Sequence, residues 1–373
     1  MAAPSKTSRL MVWAEVDMAA LRHNFLQIRK KSGNSEIIPV IKANAYGHGA
    51  VEFCRFLSTG LEVNNFGVAR VAEGVHLRHA NLAGVSLIVL GGFFKGETAD
   101  IIKYSLEPSV FSKNELIDLN DEAAKAGKVI SVHLKINTGM NRLGIKPEES
   151  GDFIKFIGTL KNITLRSIYT HFANADMPSE KFTRKQAGKL AAIKAQSPAG
   201  IFFHAANSAA VARYDFVSFD AVRPGIALYG SFAEKKMKKL LDLKPVMTLK
   251  SRVINTLTVE KGEGVSYAGL YRAPKKENIA IVSIGYGDGF RRELSNKWYV
   301  MIKGKKAPVI GRVCMDLIAV KPAGKVRIGE EVLIFGKSGK SAIAVEDMAA
   351  AAGTISYEIF TGITDRVKRV YKY

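Results

Sequence analysis

From residue 37 to about residue 230 the chain repeats one hydrophobic rhythm. A short β-branched apolar run is followed by a polar or glycine-bearing turn, then by apolar residues at three- and four-residue spacing. The apolar runs fall at 37–41, 66–69, 86–90, 107–110, 130–136, 165–170, 201–204 and 216–222, and helical patterns such as 51–57, 114–126 and 182–196 lie between them. Eight such runs alternating with helices predict a (β/α)8 barrel. The rival is an open doubly wound sheet, which wants a glycine-rich turn after its first strand; IIPVIKANAYGHG contains no GxGxxG. Past Lys244-Pro245 the rhythm changes to short strands at 246–259, 279–284, 299–302, 308–310, 313–319 and 331–335, with one helix near 345–352. A barrel domain over 1–244 and a mostly β domain over 245–373 are therefore expected, with the opening strand 12–16 assignable to either.

Composition narrows the class. A chain of 373 residues with 47% hydrophobic and 24% charged residues can bury a full core in each domain. No segment has the length and apolarity of a membrane span, and residues 1–9 lack an apolar signal core, so a cytoplasmic protein is expected. The two cysteines, Cys54 and Cys314, stand in unrelated contexts and read as reduced thiols. His76 and His79 are close in sequence but make no closed ligand set, so no metal is expected. The net charge of +21 raises the question of nucleic acid. Its lysines cluster at 235–239, 275–276 and 303–306 without interleaved aromatics or a nucleic-acid motif, which favours a solvated basic surface.

The barrel rule turns the sequence into a list of site residues, because catalytic groups sit where strands end. Lys42 ends the first apolar run, where desolvation can free its amine as a nucleophile. Strand seven runs into HAANSAA and strand eight into Arg223-Pro224-Gly225-Ile226, the two loops with which barrels often bind phosphate. Strand five ends at Lys135 in KINTGMNR, which brings Arg142, and strand six ends near His171. A reactive lysine opposite a phosphate cradle points to a phosphate-bearing carbonyl cofactor, and pyridoxal 5′-phosphate (PLP) fits.

On these segments the chain resembles the alanine racemase family along nearly its whole length. The matching stretches are VIKANAYGHG at 40–49, KINTGMNRLG at 135–144, YTHFA at 169–173, HAANSA at 204–209, VRPGIALYG at 222–230, VSY at 265–267, GYGDG at 285–289, GRVCMD at 311–316 and Tyr357-Glu358. The resemblance implies a PLP enzyme that racemises alanine and supplies D-alanine for peptidoglycan, working as a homodimer with shared active sites. It implies that Lys42 carries the cofactor and is the base on one face of the substrate, with Tyr267 of the partner subunit the base on the other. Arg223 is implied at the pyridine nitrogen, with His171 against it. Tyr46, Ser208, Tyr357, Gly225 and Ile226 are implied at the phosphate, with Asn207 supporting that loop. Arg142 and Met315 are implied at the substrate carboxylate, and Asp176, Tyr286, Arg292 and Arg312 at the entrance. Lys135 matches a lysine that is carbamylated in some members, and Asn137 stands where many relatives have Asp.

Four alternatives stay open: a racemase of broader specificity acting on serine, a decarboxylase of the same two-domain plan, a non-catalytic PLP-binding barrel, and a nucleic-acid binder. Arg223 speaks against the decarboxylase, whose sites place an acid at the pyridine nitrogen, and the β domain speaks against the lone barrel.

Overall fold

The computed structural model describes Thr7, residues 9–217 and residues 219–373. Most of the N-terminal segment read for an export signal, and Ser218 of the eighth apolar run, lie outside the described residues. The chain divides into two compact units.

The first unit, Asn24–Leu228 with Lys236–Asp242, is the barrel. Its strands are β1 Glu36–Ile37, β2 Asn65–Val68, β3 Ser86–Val89, β4 Glu107–Val110, β5 Ile130–Lys135, β6 Ile163–Tyr169, β7 Phe202–His204 and β8 Ala221–Val222. All pair in parallel in one eight-stranded sheet. A parallel bridge from Val40 to Gly67, flanked by Ile41 N–H to Gly67 O at 2.8 Å, closes the sheet on itself. Each of the eight apolar runs contains a strand, and the first and the eighth are much shorter than their patterns. The first is regular only at Glu36–Ile37; Ile38 and Val40 still donate to Val222 O and Pro224 O at 2.9 Å each, whereas Pro39, with no N–H, offers only its carbonyl to Gly67 before the bridge at Val40. The eighth, expected over 216–222, is regular only at Ala221–Val222. Ahead of it the Asp220 carboxylate takes the Phe203 N–H at 2.7 Å, where strand backbone was expected.

The intervening helices form where periodicity and caps agree. Lys113–Lys125, for example, starts at Ser112, whose hydroxyl accepts from Asn114 N, while Glu115 reaches back to the Ser112 N–H at 3.0 Å. Its buried stripe, Leu116, Leu119 and Ala123, follows the spacing that covers a sheet. Fully burying each such leucine contributes about 1.5–3 kcal/mol.

The second unit joins the described residues up to His23, Tyr229–Lys235 and Leu243–Tyr373. Its nine-stranded sheet is built around the long strand Met247–Val259, which pairs antiparallel with Glu277–Val282, Glu331–Ser338 and Val12–Asp17. Val12–Asp17 lies between this strand and Lys368–Lys372, with which it runs parallel. The opening strand thus belongs to the β sheet, and a single cut at residue 244 gives way to interleaved segments. The expected strand 313–319 survives only as Ile318–Val320, because Cys314 N–H turns back onto Leu317 O at 3.0 Å. A second short helix, Ser356–Thr361, follows the expected one, Val345–Ala351. Among the described residues no helix is long and apolar enough to cross a membrane.

Candidate active site

Lys42 opens a turn of unusual hand. Ala43, Asn44, Ala45 and Tyr46 all have φ between 50° and 54°, a left-handed helical conformation that L-residues avoid. The turn is held from several sides. Ala45 N–H donates to Ile41 O at 2.8 Å, Gly47 N–H to Ala43 O at 2.9 Å, and Ala50 N–H to the Asn44 side chain at 2.8 Å. Glu73 accepts the Ala43 N–H at 2.8 Å and the Ala69 N–H at 2.6 Å, tying the turn to the end of β2. Strain of this kind persists only where the surroundings over-determine it. Here it swings Tyr46 to β8 while Lys42 stays at the barrel mouth.

The loops after β7 and β8 meet at Ser208. Its hydroxyl accepts the N–H groups of Gly225 at 2.9 Å and Ala227 at 3.1 Å, which leaves its own proton to donate. Asn207 caps the helix Ser208–Arg213 by accepting the Ala210 N–H at 3.0 Å, and its amide holds Phe172 O at 3.3 Å. At Gly225 a Cβ would sit 2.5 Å from the Tyr46 hydroxyl. Only glycine leaves room there, so Tyr46, Ser208, Gly225 and Ile226 form one small polar cradle at the end of the Lys42 turn.

Four cations surround the mouth. Arg223 is buried and donates to Thr170 O at 2.6 Å, to Ala205 O at 3.0 Å and, in a short bond, to His204 Nδ1. Burial lowers its pKa to about 10, so it keeps its charge at neutral pH. The histidine hydrogen-bonded to Arg223 is His204, at the end of β7 beside β8, where His171 was expected. His171 stays within reach of the Arg223 charge: burial first, then Arg223 and Arg142, hold its pKa well below the ordinary imidazole value. The Tyr169 ring stacks on His204 at 4.8 Å and lies under both the Arg223 guanidinium and the Lys135 amine. Lys135 donates to Leu90 O at 3.3 Å. Burial, then Arg223, Arg142 and Lys42, push its pKa down to about 7. Lys42 is half-buried, and burial followed by the Arg142 charge lowers its pKa too. Both amines are thereby shifted toward the neutral, nucleophilic form.

The loops carrying Arg142 and His171 are braced by buried Gln186, which donates to Thr138 Oγ1 and His171 O at 3.0 Å each and accepts the Ala173 N–H. Asn137 accepts from Asn141 N at 2.9 Å and Gly139 N at 3.2 Å. An aspartate accepts the same two bonds, so Asn137 preserves the loop and removes one negative charge near Arg142.

In the second unit three distant motifs converge. Ser266 Oγ donates to Arg312 O at 2.7 Å, Tyr286 N–H to Cys314 O at 3.0 Å, and Gly287 N–H to Met315 O at 2.8 Å. Around them Tyr267, Tyr286 and Met315 are exposed. Tyr267 is presented by a turn in which Ser266 and Ala268 both have positive φ. Arg292 and Tyr286 line a separate cleft with Arg291 and Glu358. Tyr357 lies in the helix Ser356–Thr361. Asp176, in the barrel unit, accepts from Arg213 through its carbonyl at 3.1 Å.

Two family models match, alanine racemase N-terminal domain over residues 16–232 and alanine racemase C-terminal domain over residues 246–371. The chain belongs to the alanine racemase family. The alanine racemases of Geobacter sulfurreducens and Halothermothrix orenii are 40% and 39% identical to it, each over 96% of both chains. Among solved structures, the alanine racemase of Clostridium difficile 630 superposes with a TM-score of 0.92 at 37% identity, covering 97% of this chain and 96% of that one. That of Bacillus anthracis, with bound L-Ala-P, reaches 0.89 at 32% identity, covering 97% and 95%.

Within this alanine racemase fold, the matched motifs YTHFA and HAANSA contain Tyr169 and His204 but gave neither a role, and the polar residues below them were missed. Their signal is an alternation: Glu107 and Ser109, His133 and Lys135, Ser167 and Tyr169 each stand two positions apart on their strands. That is the spacing of side chains on one face of a strand.

Proposed function

We propose that this protein is a PLP-dependent alanine racemase in which Lys42 of one subunit and Tyr267 of the partner subunit serve opposite faces of the substrate. PLP suits the residues present: the cradle at Gly225 excludes a Cβ, Ser208 has a proton to donate, and Lys42 is a partly desolvated amine. When bound, PLP supplies an electron sink that acidifies the Cα–H of an attached amino acid. Lys42 then holds or moves the proton on its own side, and Tyr267 on the other, since inversion needs delivery to the face opposite removal. Arg142 and Met315 are assigned to the substrate carboxylate, and Tyr46, Ser208, Gly225, Ile226 and Tyr357 to the phosphate.

The observation that carries the reading is Arg223. A guanidinium held by three acceptors keeps its protons at neutral pH and does not pass one to a pyridine nitrogen. The ring is then a weaker electron sink, which suits proton exchange at Cα and disfavours decarboxylation and transamination. The cationic mouth also suits a phosphate and a carboxylate. Two free thiols, Cys54 and Cys314, suit a reducing, cytoplasmic setting for an enzyme that supplies D-alanine to peptidoglycan.

The test is racemisation of a panel of amino acids, with borohydride reduction and peptide mapping of the loaded protein. The expected result is kcat/KM highest for alanine and a tag on Lys42. A higher value for serine overturns the substrate, and a tag on another lysine overturns the role of Lys42.

A further inference from the structure

Beneath Arg223 a line of buried polar side chains descends through the barrel. His204 Nε2 lies 2.9 Å from Ser167 Oγ, Ser167 Oγ lies 2.6 Å from His133 Nδ1, and His133 Nε2 lies 2.9 Å from Glu107 Oε2. Glu107 is held in turn by Arg166, which donates to its two oxygens at 2.5 and 2.7 Å, and by Ser86. The β4–β5 and β5–β6 registers place Ser109 beside His133 and His133 beside Ser167, and Tyr169 pairs with His204 across β6 and β7. His133, Ser167 and His204 are buried, and with Glu36, Asn65 and Arg166 they line a cavity of about 190 Å³.

The direction of every bond follows from its two ends. Arg223 has only donors, so His204 Nδ1 accepts and the proton of that ring sits on Nε2. His204 Nε2–H donates to Ser167, whose hydroxyl proton is then free for His133 Nδ1. His133 therefore carries its proton on Nε2 and donates to Glu107, which as a carboxylate has only acceptors. Both ends demand the same sense, and both imidazoles are satisfied while neutral. The reversed chain sets a His204 N–H against an Arg223 N–H.

We infer that Glu107, His133 and Ser167 form a positioning relay that locks His204 in its Nε2–H tautomer and so aims the Arg223 guanidinium. The inference rests on the reading of Arg223 as the partner of the cofactor nitrogen. None of the three touches substrate or cofactor; they act through His204. Deleting the Ser167 hydroxyl leaves the His204 Nε2–H without its acceptor and lets the ring change tautomer or rotate, loosening Arg223.

Neutron diffraction from the protein reads the relay directly and does not depend on which amino acid is racemised. The expected map has deuterium on Nε2 of both His133 and His204 and on Ser167 Oγ toward His133. Deuterium on Nδ1 of either ring overturns the relay, whether or not any variant folds. In solution, Ser167→Ala is expected to lower kcat roughly tenfold with KM for alanine changed less than about twofold. It should also raise pyridoxamine formation relative to racemisation, and Ser167→Thr, which keeps the hydroxyl, should restore both. A Ser167→Ala enzyme with parental kcat and parental pyridoxamine ratio overturns the coupling to Arg223. Failure of alanine as a substrate, with the expected deuterium pattern intact, overturns the proposed function instead.

Discussion

Lys135 is the residue whose chemistry depends most on its surroundings. Its amine titrates near pH 7 in the folded chain against an ordinary value of 10.5. Between these values the unfolded chain binds a proton that the folded chain does not, so this group makes stability rise with pH from about 7 to 10.5. Below that window both states are charged and the folded state carries the whole burden of a buried cation among cations. Lys135→Met should flatten the rise, read as urea midpoints against pH in CO₂-free buffer; parallel curves for parent and variant would remove the shift. The same neutral amine is poised to add CO₂ and lose a proton, giving a carbamate anion beside Arg142, which ¹³CO₂ labelling would detect. Individual residues were legible where a polar group ends an apolar run, as at Lys42, Lys135 and Arg223. The residues beneath Arg223 were not. Which side chains meet inside a barrel depends on the stagger between strands, and the order of residues along one strand is silent about that stagger.

At the scale of elements, all eight barrel strands were legible in the apolar rhythm, whereas the turn after β1 was not. In Lys42-Ala43-Asn44-Ala45-Tyr46 only Asn44 favours a left-handed path, and alanine and tyrosine favour the right-handed one. The conformation comes from tertiary clamps, chiefly Glu73 and the Asn44 side chain. Each such residue costs about 1–2 kcal/mol, and glycine escapes that cost at a loss of about 0.5–1 kcal/mol in backbone entropy. Ala43→Gly should therefore stabilise the fold by about 1 kcal/mol, seen in denaturant titration, while kcat falls because the neighbour of Lys42 gains freedom. A destabilised variant would mean that the Ala43 methyl does more for the turn than its backbone strain costs. The shortened β8 and the loop at 311–316 were illegible for a similar reason. Side-chain and turn hydrogen bonds from Asp220 and Cys314 take over where apolar character alone suggested continued strand.

At the scale of the whole molecule the proposed sharing of sites has a numerical consequence. Lys42→Ala and Tyr267→Ala homodimers each lose both complete sites. Subunit exchange makes about half the dimers mixed, and in each mixed dimer one site regains both groups, so roughly a quarter of all sites should recover. Activity against mixing ratio, with exchange verified by mass labels, checks this; verified exchange without recovery would return Tyr267 to its own chain. A second consequence belongs to synthesis. Glu15 and Lys372, 357 residues apart, join at 2.5 Å across the paired strands Val12–Asp17 and Lys368–Lys372. A strand translated ahead of both its partners must wait for them, while the barrel between them closes on contacts of its own. Pulse-labelled hydrogen exchange during refolding should find the Val12–Asp17 amides protected together with Lys368–Lys372 and after β5 and β6. Early protection of Val12–Asp17 would show it paired before its neighbour arrives. Until then the nascent chain carries an open β edge, and its exposure to aggregation is set by the time needed to translate the distance between those two strands.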